Sequence, residues 1–447
     1  MLVKLASLQA ADADALRLVD EGGETQPELI LEVGGVMPPA QTEATLVLRS
    51  GKDRTLLWSK DFQQSGGKVA DLKQQLAHVA AHVLRCAVEG MRADGKPLNQ
   101  QLQKLYLSGC SELAEADNLT LLRPVFLEIT QKAPSFEGAW SKLLRIEARM
   151  ATLETGVRRE NAQTALRRHI SNARRVNPYL AEAYLAEAEL LPGTAKFERM
   201  ALLDRAIQRN PENSEALVQR SRGLLTVGRL SDALTDARHA AEKDPLSPAT
   251  RDQYIFVLIN SRLTNLAIEE LNKAEGLWPG ATNLANTRFF YHLHQGDPKE
   301  ALRNLESQRF EVGEAWVTYE TYLKARIDPT APNVEQAISK TRSVAAAYPT
   351  ALPMLIQSLA TFGQEEELFD TLLRSRPESA GFITHVIFRP AFDDFWSNPR
   401  SMRVAVHLGL VDYWRRSGKW PDFCAAAAYD CKAEAAKAER APGIGGS

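Results

Sequence analysis

The sequence has few cysteines and lacks any long apolar run. Four cysteines among 447 residues do not make a disulfide scaffold. Only Cys424 and Cys431 lie close together, and this seven-residue step either closes a small disulfide loop in an oxidising compartment or leaves two free thiols in the cytosol. No run of 18 or more apolar residues occurs, so the sequence predicts no segment that spans a bilayer.

An excess of charge of either sign is also absent. The chain has 54 Lys and Arg against 56 Asp and Glu, a formal net charge of −2, so no global field would recruit nucleic acid or an anionic membrane. The N-terminal stretch MLVKLASLQAADADALRLVDEG carries acidic residues where a signal peptide needs an uninterrupted apolar core. The sequence therefore leaves open whether the compartment is cytoplasmic or periplasmic.

Recognisable catalytic motifs are missing as well. Gly34-Gly35 lacks the downstream glycine and the Lys-Ser/Thr of a phosphate-binding loop. Neither a Gly-x-Ser-x-Gly turn nor a His-Glu-x-x-His motif occurs. We therefore expect no enzyme activity, no catalytic residue, no cofactor and no small-molecule substrate.

Two pairs of histidines are candidates for a metal site, but neither pair meets the requirements of one. His292 and His294 are two residues apart, so on a helix they point about 200° from each other. His78 and His82 have the better i, i+4 spacing, but no third ligand lies near them in the sequence. We interpret both pairs as packed or solvated helix residues and expect no metal.

What the sequence does have is a repeat. Pro211, Pro245 and Pro279 follow one another at intervals of 34 residues. Two further rows keep the same interval with small side chains: Ala206, Ala240 and Ala274, and Ala233, Ala267 and Ala301. A fixed period of this length is typical of a solenoid of stacked helical hairpins, in which small residues allow close helix packing and the proline ends each unit. Such a solenoid is usually a binding surface.

The repeats extend beyond the three sharp units. We predict about eight hairpins over residues 101–379, with about ten extra residues around Thr152–Asn161. Ile255 and Phe289 stand where earlier units have a small residue, so the later hairpins should splay or tilt. Residues 380–431 are rich in aromatics and should form a helical cap on the last hairpin. Residues 432–447 should be frayed.

Residues 1–92 have a different pattern. Ala11–Val19 is a plausible helix, and a strand begins at Glu28. Ser50-Gly51-Lys52-Asp53 separates two β-rich runs and predicts a hairpin. Leu72, Leu76, Val79 and Val83 then fall on one face of a helix that should lie on this sheet. Gly95-Lys96-Pro97 marks the boundary with the repeats.

These features resemble known families. Leu29–Val36, Leu56–Phe62 and Asp71–Leu84 resemble the second half of a TolB-like α/β domain, whose opening strand and helix are hardly represented here. The 34-residue units resemble tetratricopeptide repeats. The C-terminal sequence around Phe388-Arg-Pro390 extends this resemblance. Residues 28 to about 431 together resemble bacterial proteins in which a TolB-like domain and these repeats follow a CadC-type winged helix or an adenylate cyclase domain. Neither upstream domain is present, so neither activity is assigned to this chain.

The resemblance implies a mostly α-helical fold, a solenoid preceded by a small α/β domain, and a binding groove. In tetratricopeptide arrays the first helices line a concave surface that holds a peptide. Transfer by register selects seven positions: Arg222, Asp252, Phe256, Asn260, Asn286, Phe290 and His294. The aromatic rings would supply contact area and the amides would bond to a partner's main chain. The alternative is that Phe256 and Phe290 only pack between adjacent hairpins.

A run of arginines offers a second surface. Arg167, Arg168, Arg174 and Arg175 cluster within about 120° of a helical wheel, opposite an apolar arc. They form either a solvated outer face or an anionic-partner stripe that docks an acidic protein segment. No aromatic residues interleave with them, and we expect no direct nucleic-acid binding.

The function predicted from these features is that of a non-catalytic interaction or sensory module of a bacterial signalling or transcriptional regulator, with a protein or peptide ligand. A free-standing structural scaffold is the alternative. An enzyme would require an unrecognised pocket between the two domains.

Overall fold

The computed structural model describes residues 26–36, 41–65, 69–91, 98–113, 121–154, 156–245, 247–307, 315–376 and 379–440. The helix expected at Ala11–Val19, the boundary at Gly95–Pro97 and the last seven residues of the expected frayed tail lie outside these ranges.

Three antiparallel strands form the N-terminal sheet in the order β1 (Leu29–Val36), β2 (Gln41–Ser50) and β3 (Leu56–Ser65). Alternate residues of β2, Ala44, Leu46 and Leu48, are buried at 6% exposure or less, as the two-residue period of a strand requires. The predicted strand and hairpin are confirmed.

A long helix, α1 (Val69–Met91), covers the buried face of this sheet. Its four predicted apolar residues, Leu72, Leu76, Val79 and Val83, are at most 6% exposed, so the predicted amphipathic helix is confirmed. The sheet and α1 share one hydrophobic core with the helices as far as Ala186.

A disulfide between Cys86 and Cys110 joins α1 to the next helix. The sequence analysis missed this pair, since 24 residues separate the two cysteines.

Helix pairs continue to residue 373. In the described residues there are eight pairs: α2 (Gln100–Leu113) with α3 (Arg123–Lys132), α4 (Glu137–Leu153) with α5 (Gly156–Val176), α6 (Ala181–Glu189) with α7 (Lys196–Arg209), α8 (Ser214–Leu225) with α9 (Leu230–Lys243), α10 (Pro248–Asn260) with α11 (Thr264–Leu277), α12 (Thr282–His294) with α13 (Pro298–Ser307), α14 (Ala315–Ile327) with α15 (Ala331–Ala347), and α16 (Leu352–Thr361) with α17 (Glu365–Leu373).

The repeat positions explain these bounds. The starts of α8, α10 and α12 are 34 residues apart, as are those of α9, α11 and α13. The six alanines of the two repeated rows are at most 1% exposed, because the helices approach closely there. Helices α7, α9 and α11 each end two residues before the repeated proline. The extra residues around Thr152–Asn161 lengthen α4 and α5 to 17 and 21 residues. The splay expected at Ile255 and Phe289 stays a prediction.

The C-terminal segment consists of short helices: α18 (Ala380–Thr384), α19 (Asp393–Ser397), α20 (Ser401–His407), α21 (Leu410–Ser417) and α22 (Cys431–Arg440). The expectation of a frayed tail is wrong for residues 432–440, because α22 packs on α20 and buries Ala435 completely. A disulfide between Cys424 and Cys431 joins the start of α22 to the preceding 3₁₀ turn. Of the two alternatives that the sequence left open, a disulfide loop or two free thiols, the structure has the disulfide loop.

The C-terminal segment does more than cap the last pair. Three consecutive residues of the α8–α9 turn bond to it: the Val227 carbonyl accepts from Trp414 Nε1 at 2.9 Å, the Gly228 carbonyl accepts from the Asp422 N–H at 3.0 Å, and Arg229 Nη1 donates to the Trp420 carbonyl at 2.8 Å. The segment also packs on α16 and α17. It therefore bridges the end and the middle of the array.

Helix α1 contacts the opposite edge of the same array. Trp278 Nε1 donates to His78 Nε2 at 2.8 Å, and Arg85 Nη1 donates to Asp244 Oδ1 at 2.8 Å. Asp244 and Trp278 lie in turns that follow second helices, whereas Val227 lies in a turn within a pair. Because the helices of a pair are antiparallel, these two kinds of turn lie at opposite edges.

Among the described helices, none has both the length and the apolar character needed to cross a bilayer.

Candidate protein-binding surface

The first helices of neighbouring pairs pack side by side, α4 on α6, α6 on α8, α8 on α10 and α10 on α12. Residues 34 positions apart therefore recur at equivalent places on this surface. Arg389 of the C-terminal segment lies against it, since its Nη1 donates to Gln357 Oε1 of α16. We call the surface formed by α8, α10, α12, α14 and α16 the inner face.

Arg222, Phe256 and Phe290 form one row on the inner face, at equivalent positions of α8, α10 and α12. Phe290 is 40% exposed and its ring stacks on His294, with centroids 6.1 Å apart. Phe256 is half-buried against the main core. Phe290 thus offers an aromatic surface to a partner, whereas much of Phe256 serves packing between hairpins.

The two selected asparagines differ in exposure. Asn260 is only 5% exposed, and its Nδ2 donates to the Phe256 carbonyl of the same helix at 2.7 Å. Asn286 is exposed. Only Asn286 therefore presents its amide to solvent.

Asp252 belongs to a set of polar side chains that join neighbouring repeats through hydrogen bonds. Its Oδ1 accepts a hydrogen bond from Thr287 Oγ1 at 2.5 Å. Burial raises the pKa of Asp252 to about 6, although the Thr287 hydrogen bond and the Arg222 charge act against this shift. Arg222 is exposed and its Nε donates to Gln253 Oε1 at 3.1 Å.

His294 lies deeper on the inner face. Its Nδ1 atom is buried and has no hydrogen-bond partner among the described residues. Burial lowers the pKa of His294 well below its ordinary value, and the charges of Arg389 and Arg326 add to this effect. The imidazole is therefore neutral, with one unused polar atom.

The C-terminal segment brings Arg389 to the inner face and contacts Lys196 at the start of α7. Lys196 Nζ donates to Thr384 Oγ1 at 3.0 Å and is 6% exposed. Arg389 Nη1 donates to Gln357 Oε1 at 3.2 Å. Burial lowers the pKa of Lys196 to about 7 and that of Arg389 to about 10.

His385 follows Thr384, whose hydroxyl bonds to Lys196. Its side chain is exposed to water, yet burial of the ring among the surrounding groups lowers its pKa to about 4. The charges that add to this shift are all positive: Lys196, Arg389, Arg222 and Arg199.

The anionic-partner stripe lies on α5, the second helix of its pair. Arg167, Arg168 and Arg175 are exposed. Arg174 pairs with Glu187 and its guanidinium lies 5.0 Å from the centre of the Tyr184 ring. The stripe therefore offers three exposed charges, and the structure does not join it to the inner face.

The histidine pairs do not form a metal centre in the described residues. His78 contacts Trp278, and His82 Nε2 lies 3.0 Å from the Cys110 carbonyl. His82, Cys86 and Cys110 would bring three ligand atoms within 4.8 Å of one another, but both sulfurs are bonded in the disulfide.

Sequence reasoning missed Lys196, His385 and Arg389. Lys196 and Arg389 stand in different segments, 193 positions apart, and no local pattern marks them. Only the return of the C-terminal segment places them together.

Two solved structures show low similarity to this chain. The crystal structure of the yeast Tom70 is 16% identical, covers 78% of this chain and 72% of its own, and has a TM-score of 0.36. The P58(IPK) TPR domain is 13% identical, covers 83% of this chain and 97% of its own, and has a TM-score of 0.21. These TM-scores are too low to support an argument. No protein-family model and no curated protein matches the sequence.

Proposed function

We propose that this chain is a non-catalytic interaction module that binds a peptide or protein segment on the inner face of its helix pairs. The observation that supports the proposal most directly is Phe290, an aromatic side chain 40% exposed on the inner face, next to the exposed amide of Asn286. Aromatic side chains, Phe among them, are enriched at protein interfaces relative to the rest of the surface.

The wider context that we propose is a bacterial signalling or transcriptional regulator, in which this chain is the sensory or interaction half. The support is the sequence resemblance over residues 28 to about 431. All four cysteines are paired, which supports an oxidising compartment such as the periplasm.

The test compares the partners retained by four forms of the full chain: wild type, Phe290→Ala, Arg167→Gln and Tyr348→Ala. Tyr348 is a matched control because it is an aromatic residue, 58% exposed, outside the inner face. Each form is immobilised and incubated with a native bacterial extract, and the retained proteins are identified by mass spectrometry. Circular dichroism checks that each variant is folded.

We expect Phe290→Ala to lose a protein that wild type and Tyr348→Ala both retain. Loss of an exposed aromatic anchor should weaken binding about tenfold or more. If Phe290→Ala retains every partner of the wild type, the inner face is not the binding surface. If Arg167→Gln instead loses a partner that the wild type retains, the binding surface is the anionic-partner stripe.

A further inference from the structure

A histidine and two cysteines meet where the N-terminal sheet and its helix join the array. His82 and Cys86 are four residues apart on α1, so their side chains share one face of that helix. Cys110 faces them from α2. One ligand atom from each of the three lies within 4.8 Å of the other two, and among the described residues this is the one group of three or more His, Cys, Asp or Glu with such spacing.

The separations are close to those around a zinc ion. His82 Nε2 lies 3.8 Å from Cys86 Sγ. Zinc binds sulfur at about 2.3 Å and nitrogen at about 2.1 Å, so around a tetrahedral ion these two ligand atoms lie about 3.6 Å apart. His82 Nε2 also lies 3.0 Å from the Cys110 carbonyl oxygen. The imidazole therefore already points at the two cysteines.

The redox state decides whether these residues can hold a metal ion. In the oxidised protein the sulfurs of Cys86 and Cys110 are bonded to each other. They are thiols in a chain that folds in a reducing compartment, or after reduction by a dithiol. In that reduction two electrons and two protons pass from the dithiol to the two sulfurs, and the dithiol becomes a disulfide. A metal ion would then displace both thiol protons.

Burial decides which metal fits. Cys86 is 1% exposed and Cys110 is 3% exposed, and a net charge is costly at such depth. Two thiolates, a neutral imidazole and a divalent cation sum to zero charge, whereas copper(I) would leave one negative charge. Thiolate and imidazole are also the ligands that zinc prefers. His82 is partly exposed, so a water molecule can complete the four ligands from that side.

We infer that His82, Cys86 and Cys110 form a zinc site when the two cysteines are reduced. The ion then takes the place of the disulfide as the link between α1 and α2, so the sheet stays joined to the array in either redox state. The inference goes beyond the proposed function, since none of the three residues belongs to the inner face.

The experiment measures metal binding by the reduced full chain. The parent form is Cys424→Ala/Cys431→Ala, which leaves Cys86 and Cys110 as its two cysteines. It is reduced with dithiothreitol, freed of the reductant under nitrogen, and titrated with cobalt(II) and then with zinc. Cobalt(II) replaces zinc in tetrahedral sites, and its absorption spectrum reports thiolate ligands and coordination geometry.

We expect the reduced parent to bind one cobalt ion per chain, with a thiolate charge-transfer band, and zinc to displace it. His82→Gln in the parent should weaken zinc binding about 100-fold or more, because loss of a group behind a ligand already costs roughly 10–100-fold. His78→Gln is the matched control, one turn away on α1 and bonded to Trp278, and should bind like the parent.

Two further comparisons separate a zinc link from two reactive thiols. Cys86→Ala/Cys110→Ala, when reduced, keeps the thiols of Cys424 and Cys431, which belong to no such ligand group among the described residues, and should show no tetrahedral cobalt spectrum. Zinc should raise the thermal unfolding midpoint of the reduced parent by several degrees, because it binds the native state. The oxidised parent and reduced His82→Gln should show no such rise.

The inference is overturned if the reduced parent binds neither cobalt nor zinc, a result that needs no further variant. It is also overturned if His82→Gln, checked for folding by circular dichroism, binds zinc as tightly as the parent, or if the parent binds only copper(I). None of these outcomes bears on the partners lost by Phe290→Ala, so the zinc site and the proposed function can fail separately.

Discussion

Individual buried groups carry an electrostatic cost in this fold, and Lys196 is the clearest case. It is 6% exposed, and burial together with the nearby Arg199 charge lowers its pKa from 10.5 to about 7. The hydrogen bonds to Gly193 and Thr384 hold the amine in place without a counter-ion. The site therefore costs stability while the amine is charged.

The pH dependence follows from this shift. Below about pH 7 both the native and the unfolded chain bind the proton, so the native state carries the full cost. Between about 7 and 10.5 only the unfolded chain binds it, so the contribution of Lys196 to stability rises with pH.

We predict that Lys196→Met removes this dependence. Urea unfolding at about pH 6.5 and about pH 9.5 gives the free energy of unfolding at each pH. This free energy should rise between the two pH values in the wild type by on the order of 3 kcal/mol more than in the variant. Lys299→Met, at an exposed site, is the control and should behave like the wild type. Equal pH slopes for Lys196→Met and wild type would contradict the prediction.

At the scale of elements, the helix pairs are held by repeated close contacts, but their N-terminal end also depends on a covalent link. The Cys86–Cys110 disulfide joins α1, which covers the sheet, to α2, the first helix of the array. Trp58 Nε1 of β3 donates to Ser111 Oγ of α2 at 3.0 Å and reinforces the same junction.

We predict that the two disulfides contribute unequally to stability. The chain-entropy relation gives about 3.5 kcal/mol for the 24-residue separation of Cys86 and Cys110, and about 2.5 kcal/mol for the seven-residue separation of Cys424 and Cys431. The double variants Cys86→Ala/Cys110→Ala and Cys424→Ala/Cys431→Ala should therefore differ in urea-unfolding free energy, the first being less stable.

Thiol titration provides the control for this comparison. The wild type, unfolded in urea without reductant, should expose no thiol, and reduction should release four. Free thiols in the unreduced protein, or a less stable C-terminal double variant, would count against the prediction.

The whole molecule is closed rather than open at its C-terminal end. The segment after residue 379 returns to the α8–α9 turn, and Gly228 is the contact point. Gly228 has a φ of +74°, and a Cβ atom there would lie 2.7 Å from Phe388 and 2.8 Å from Pro421. Gly363 has a similar φ of +67° but meets nothing within 4 Å.

Substitution of these two glycines measures how much the contact between the α8–α9 turn and the C-terminal segment stabilises the protein. Gly363→Ala should cost about 1 kcal/mol, the strain of a left-handed residue with a side chain. Gly228→Ala should cost about 2 kcal/mol more, because it also separates the turn from the C-terminal segment. Urea unfolding gives both values.

Hydrogen exchange should show the same difference locally. Gly228→Ala should lose protection at residues 410–424 and Gly363→Ala should not. Equal losses of stability and protection in the two variants would show that the C-terminal segment does not depend on this contact.

Much of the fold could be predicted from the sequence, because its signals are local and periodic. The 34-residue interval predicted the repeated helix pairs and the prolines that end them, and the apolar spacing in α1 predicted the face that covers the sheet. The same interval placed Arg222, Phe256 and Phe290 in one row. Their spacing is enough for this, since equivalent residues of a stacked repeat share a face.

The sequence alone determined the helix pairs, the hairpin and the equivalence of Arg222, Phe256 and Phe290 along the array, since each depends on neighbours in the chain or on a fixed period. Only the tertiary structure decided that Asn260 is buried, that Cys86 meets Cys110, and that the C-terminal segment brings His385 and Arg389 to Lys196. These contacts join distant residues, such as Trp414 and Val227, 187 positions apart. No periodic signal encodes them, because they form only when the whole chain packs.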